Sequence, residues 1–184
     1  MNLCSAGRAS ETAPFFHIYN MRFIRTFEGY ELYTNTKGGK FWGNLGAGIL
    51  PICKTTGKIL VAMRSDFVNE PNTWGVFGGK IDKPAPGEKR ETPEDAAKRE
   101  LQEESGYKGH FELIPAFVYT SPDKTFKYHN FIGLVDKEFK PKTDWETAYA
   151  KWMTFQELIE LKNKHFGLES LLDNSFELIK KFAK

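Results

Sequence analysis

Three carboxylates in one short segment, Glu100, Glu103 and Glu104, carry the spacing that first suggests chemistry. On a helix over residues 93–105, taking Ala96 as zero, Glu103 projects near about 340°, Glu100 near 40° and Glu104 near 80°, so the three share roughly a 100° arc. Arg99 falls near about 300°, flanking Glu103, while Ala97 and Leu101 fall near about 100° and 140°, where they can pack against a sheet. One edge of such a helix is core and the next is anionic. In water the crowding is cheap, about 0.2–0.5 kcal/mol per like-charge pair, and a solvated acidic face is a sufficient reading. Against a cleft it is not, because two carboxylates about 6 Å apart repel by roughly 3 kcal/mol at an effective dielectric of about 20. A divalent cation relieves that cost. All-oxygen ligands without a neighbouring His or Cys suit Mg2+, or Mn2+, better than zinc, and Mg2+ recruits waters and substrate phosphates as further ligands. The arc therefore points to chemistry on phosphates.

The elements that must hold it are marked in the chain. Thr92 at the N-cap, Pro93 at the first helical position, Glu94 and Asp95 in the first turn and Gly106 as a left-handed stop predict a helix from about Pro93 to Ser105. Upstream, Ala47 to Ile52 and Lys58 to Arg64 are β-type runs joined by Thr55-Thr56-Gly57, with Pro51 predicting a bulge or an edge in the first. Trp74 to Phe77 reads as a short strand ending in Gly78-Gly79, and Lys80 to Arg90 as a loop. Downstream, Phe111 to Tyr119 and Thr125 to Val135 predict a hairpin through the turn Ser121-Pro122-Asp123-Lys124. Ala148 to Met153 is a further strand, and Thr154-Phe155-Gln156-Glu157 is a capping box opening a helix to about Lys164. The last helix, Leu168 to Phe182, sets Leu168, Leu171, Leu172, Phe176, Ile179 and Phe182 on one side. The first 45 residues are uneven and read as an appended strand or hairpin, ahead of a domain over residues 46–184.

With these elements in place, Gly79, Glu91 and the run Arg99-Glu100-Leu101-Gln102-Glu103-Glu104-Ser105-Gly106-Tyr107 closely resemble the box of the Nudix hydrolase family, which is MutT-like. The tail of that box matches at every defined position. The loop departs from it: eleven residues separate Gly79 from Glu91 where the family has five, a six-residue insertion, and Phe77 stands where proline commonly precedes the glycines. Beyond the box, the order of elements from Gly46 to Lys164 is similar to the family's. The resemblance implies an α/β fold, an α/β/α sandwich with a mixed central sheet. It also implies Mg2+-dependent hydrolysis of a nucleoside diphosphate linked to another moiety. It gives Glu103 and Glu104 to the metal, Glu100 to the metal or to orienting and deprotonating the attacking water, and Arg99 to orienting the glutamates. On the same resemblance the carbonyl of Gly78 or Gly79 would complete the metal shell, and Glu91 is expected to support Arg99. Glu146 is the candidate second metal ligand or base, and Arg64 and Lys80 are the candidate substrate-binding cations.

The remaining residues narrow the reading. In 184 residues, 40% apolar and 27% charged, there is material for one sizeable core and no room for a second full domain. A net charge of +2 gives no global field for nucleic acid, so a small nucleotide is the expected partner and a homodimer is left open. No apolar run approaches the ~20 residues that span a bilayer. The start of the chain shows no signal or transit pattern, and the cysteines are Cys4 and Cys53 alone, so a cytoplasmic protein is expected. The histidines lack partners at metal spacing, Gly75 and Ile81 break any P-loop around Lys80, and Trp74, Tyr119, Phe126 and Tyr128 are read as sheet packing. A proline at position 122 favours ADP-ribose or a nucleoside diphosphate sugar, with (d)NTPs and dinucleoside polyphosphates as alternatives. A non-catalytic nucleotide sensor is a third reading, and a cap hydrolase using Lys80, Lys83, Lys89 and Arg90 a fourth.

Overall fold

The computed structural model describes residues 45–82, 87 and 89–184. The expected strand or hairpin of residues 1–45 lies outside them, apart from Leu45. Seven strands among the described residues form one mixed sheet: β1 Leu45–Cys53, β2 Ile59–Arg64, β3 Trp74–Gly75, β4 Phe77–Lys80, β5 Phe111–Thr120, β6 Lys127–Val135 and β7 Thr147–Met153. Three helices accompany it, α1 Pro93–Ser105, α2 Phe155–Glu160 and α3 Phe166–Phe182.

Strand β1 is the spine. It runs parallel to β6 from Leu45 opposite Lys127 to Cys53 opposite Val135. On its other flank it pairs antiparallel with β4 and then with β2. Strand β2 also carries β3 and β7, and β5 closes the far side against β6. Both faces of β1 are covered, which is why its sequence is a continuous apolar run rather than an alternating one, buried from Gly46 to Cys53. On one face Leu50, Ile52, Val61, Ile132 and Leu134 meet Leu158 of α2 and Leu168, Leu171 and Ile179 of α3. On the other, Ala47, Ile49, Leu60, Ala62, Phe77 and Phe131 meet Ala96, Ala97 and Leu101 of α1. The result is the α/β/α sandwich with a mixed sheet that the sequence predicts.

Several local expectations need correction. Pro51 marks neither an edge nor a bulge: it lies in the central strand, between Ile49, the last partner of β4, and Ile52, the partner of β2, where the ladder on that flank is interrupted. The run Trp74 to Phe77 is two strands, and Gly78 and Gly79 belong to the second. Helix α2 stops at Glu160 instead of continuing to Lys164, because Leu161 turns to extended geometry. In α3, Ser175 leaves helical geometry (φ −134°, ψ 22°), and this kink turns Phe176 out to 38% exposure while Leu168, Leu171, Leu172 and Ile179 stay buried.

Candidate active site

Helix α1 forms where the caps dictate. The Thr92 side chain accepts from the Asp95 N–H at 3.1 Å, and Gly106 takes φ 69° and donates to Gln102 O. With Ala96, Ala97 and Leu101 seated on the sheet, the helix phase carries Glu100 and Glu104 into the seam against β4, 9% and 7% exposed, and leaves Glu103 at the rim. Two glycines make the seam possible. A Cβ on Gly79 would lie 2.5 Å from Glu100 Oε1, and the Gly78 N–H donates to Glu104 Oε2 at 3.2 Å.

Arg99 organises the cluster with all five of its donors. Its Nε and one Nη donate to the two Glu91 oxygens at 2.9 and 3.2 Å, and the same Nη reaches the Lys80 carbonyl at 3.0 Å. The other Nη bridges Glu100 Oε1 at 2.7 Å and Glu103 Oε2 at 3.0 Å. Glu91 also accepts from the Asp82 N–H at 2.8 Å, so both ends of the inserted loop are fastened to the helix through one carboxylate.

Glu146, 42 positions beyond Glu104 in the chain, is carried to this cluster by the sheet. Asp144 Oδ1 accepts from the N–H groups of Glu146 and Thr147, and the Ser65 N–H donates to Glu146 O at 2.9 Å. The electrostatics record the convergence. Burial, countered by Arg99, pushes the Glu100 carboxyl up to about 7. Burial, then the charges of Glu100 and Glu146, hold Glu104 well above the usual carboxylate range, with the Gly78 N–H pulling the other way. Burial and then Asp144 raise Glu146, and Arg64 opposes them. Such a site favours either protons or a cation.

These features coincide with a known family: the family model described as the NUDIX domain matches residues 43–174. The chain belongs to the Nudix family. Two curated relatives, from Mycobacterium tuberculosis strains CDC 1551 / Oshkosh and ATCC 25618 / H37Rv, are each named "Putative 8-oxo-dGTP diphosphatase 3". They are 28% identical over 133 residues, 67% of this chain, and the match spans only 58% of their own length. Among solved structures, the Nudix hydrolase RenU from M. smegmatis superposes with a TM-score of 0.59 at 17% identity, over 78% of this chain and 89% of that one. A C. elegans Ap4A hydrolase binary complex gives 0.55 at 20% identity, over 74% and 99%. At these identities the structures establish a shared fold.

Set against this Nudix fold, the other candidates divide. Arg64, at a register shift closing β2, donates from Nε to Asn69 O at 2.9 Å and acts electrostatically on Glu146 and Glu70. Lys80 meets the cluster through its carbonyl, while its ammonium lies 3.6 Å from Asp82 on the exposed side. Among the described residues no group of three or more His, Cys, Asp or Glu side chains is placed to hold a metal ion. The donor set nevertheless fits Mg2+, which uses one or two carboxylates and completes its shell with water and phosphate. Tyr128 packs on the sheet, as the sequence suggested, and its neighbours there are glycines. Tyr128 lies over Gly46, Gly48 and Gly78, where a Cβ would approach its ring or hydroxyl to between 2.4 and 2.9 Å. Ser65 and Asp144 fix the approach of Glu146. The glycines at alternate positions of a buried strand were the sequence signal for the Tyr128 contact, whereas the roles of Ser65 and Asp144, which the sequence reading missed, depend on pairing across the sheet.

Proposed function

We propose that this chain is a divalent-metal-dependent pyrophosphohydrolase that cuts the phosphoanhydride of a nucleoside diphosphate linked to another moiety. The observation that carries the reading is the Glu100, Glu103 and Glu104 arc, ordered by Arg99 against Gly78 and Gly79 and joined by Glu146. Glu103 and Glu104, with the Gly79 carbonyl, would hold Mg2+. When bound, the ion supplies neutralisation of the phosphates and a lowered pKa for its water. Glu100, on the same helix face and held by Arg99, would accept a proton from the attacking water, and Glu146 stands in the same field as a second base or ligand. Arg99 keeps Glu100 and Glu103 oriented. Water adds to one phosphorus, the bridging P–O bond breaks, and the leaving phosphate takes the electron pair.

For the substrate, the turn explains Pro122: the Lys124 N–H donates to Ser121 O at 2.8 Å and Asp123 accepts from Ser121 and Thr125. The turn accounts for this proline as fully as a part in ADP-ribose recognition would. The relatives named for 8-oxo-dGTP favour a second reading, hydrolysis of nucleoside triphosphates. Incubation with Mg2+ and a panel of ADP-ribose, NADH, dinucleoside polyphosphates and dNTPs separates the two by product: AMP with ribose 5-phosphate, or nucleoside monophosphate with pyrophosphate. Glu104→Gln is expected to lower turnover by at least about 100-fold while the protein stays folded. Wild-type activity in that variant would overturn the assignment, and tight nucleotide binding without turnover by the wild type would select a sensing module.

A further inference from the structure

Beyond the acidic cluster, two large aromatic side chains are left in solvent on neighbouring loops. Phe67 is 81% exposed and Trp145 is 63% exposed. Among the described residues neither ring meets another aromatic ring. Isolated exposed apolar residues need no explanation, but these two share one support. The Ser65 hydroxyl donates to the Trp145 carbonyl at 2.8 Å and accepts from the Phe67 N–H at 3.3 Å, so a single side chain bridges the backbones that bear both rings. The same serine's N–H holds Glu146 O, and Arg64 immediately precedes it. The two rings therefore start from the backbone that delivers Glu146 and Arg64 to the acidic cluster.

The loop bearing Phe67 is braced throughout. Asn72 Nδ2 donates to Asp66 Oδ1 at 2.9 Å, the Thr73 hydroxyl donates to Glu70 O at 2.6 Å, Arg64 Nε donates to Asn69 O, and the Asn72 and Arg64 N–H groups close the loop onto Arg64 O and Thr73 O. Glu70 and Asn72 take positive φ, 50° and 59°, to achieve this. This bracing fixes the backbone that carries the exposed phenyl ring, and a group already held in place loses less freedom when it makes a contact. The contact best suited to flat, sequence-tolerant rings beside a phosphate site is stacking with a planar heteroaromatic group.

We infer that Phe67 and Trp145 form an aromatic clamp for the nucleobase of the substrate, seated on Ser65 at the edge of the Glu146 loop. This rests on the proposed nucleotide hydrolysis and names the part of the site that holds the base. The two rings are specificity residues: they set binding of the base and leave bond cleavage to the glutamates.

Because both side chains are exposed, Phe67→Ala and Trp145→Ala should fold normally, which circular dichroism and the thermal midpoint check. Trp emission is followed while ATP, GTP, CTP and UTP are titrated in turn, with inorganic tripolyphosphate as the base-free control and Trp145→Phe as the blank. At least one nucleotide is expected to quench emission in the wild type, the quenching to vanish in Trp145→Phe, and tripolyphosphate to leave it unchanged. In turnover of the substrate identified by the panel, each alanine variant should raise KM by about 5- to 100-fold with kcat within about twofold, and Trp145→Phe should largely restore KM. Quenching by none of the four nucleotides, equal quenching by tripolyphosphate, or unchanged KM in both alanine variants would overturn the clamp. Quenching without turnover of any panel member would refute the hydrolase reading and leave the clamp standing.

Discussion

At the residue scale, Arg99 and the glutamates it holds are a coupled unit. Lysine at position 99 keeps a positive charge but cannot reproduce a planar fork that reaches Glu91, Glu100, Glu103 and the Lys80 carbonyl together. Arg99→Lys should therefore lower kcat by about 10- to 100-fold with little change in KM, a split that steady-state kinetics reads directly. Glu100 adds a linkage. Its folded pKa of about 7 lies above its ordinary 4.5, so its contribution to stability is fully present below about pH 4.5 and is lost as pH rises through about 7. Metal-free protein should unfold at lower urea concentration at pH 8 than at pH 5, and Glu100→Gln should flatten that slope. Added Mg2+ should recover stability at pH 8 and do little at pH 5, where protons occupy the same carboxylates.

At the scale of elements, the site depends on how closely α1 and β4 approach. Gly79→Ala would put a methyl group 2.5 Å from Glu100 Oε1, and the carboxylate is the part that can give way. Turnover should fall by about 10-fold or more while the thermal midpoint moves only a few degrees. Gly78→Ala differs in kind: its Cβ would lie 2.5 Å from the Ala47 carbonyl and 2.4 Å from the Tyr128 hydroxyl, and backbone does not yield cheaply. That variant should lose stability by about 2 kcal/mol or more as well as activity. The contrast, read by denaturant titration alongside kinetics, separates a glycine kept for the carboxylate from one kept for the sheet. Both glycines were legible as a pair in the sequence, but placing them inside β4 instead of after a strand required the pairing with Ala47 and Gly48 of β1.

Across the whole molecule, a second titratable group balances the first. His165 caps α3, its ring Nδ1 accepting from the Gly167 N–H at 3.1 Å while its backbone N–H donates to Trp74 O at 2.7 Å. Burial, then Arg64, push the imidazole down to about 3, so its 3.7 Å approach to Glu70 joins a neutral ring to a carboxyl that burial has itself raised. A histidine held neutral contributes stability that is present above the unfolded value near 6.5 and fades as pH falls toward about 3. Opposed to Glu100, it should give the metal-free protein a stability maximum between about pH 5 and 6.5. His165→Asn, which keeps a capping side chain, should flatten the acid limb alone. No described helix is long and apolar enough to cross a membrane. The sequence by itself determined whatever depends on neighbours within a few positions: the caps and stop of α1, the capping box at Thr154, the hairpin turn, and the arc that gathers Glu100, Glu103 and Glu104. The capping bonds of these elements join residues a few positions apart, so no long-range contact is needed to specify them. Tertiary structure alone decided that Glu146 would face that arc, that Lys80 would offer its carbonyl and not its amine, that Pro51 would sit in the central strand, and that Phe67 and Trp145 would share Ser65. Each of these depends on which strands pair and in what register, and register is set by burial over the whole sheet, not by the residues it brings together.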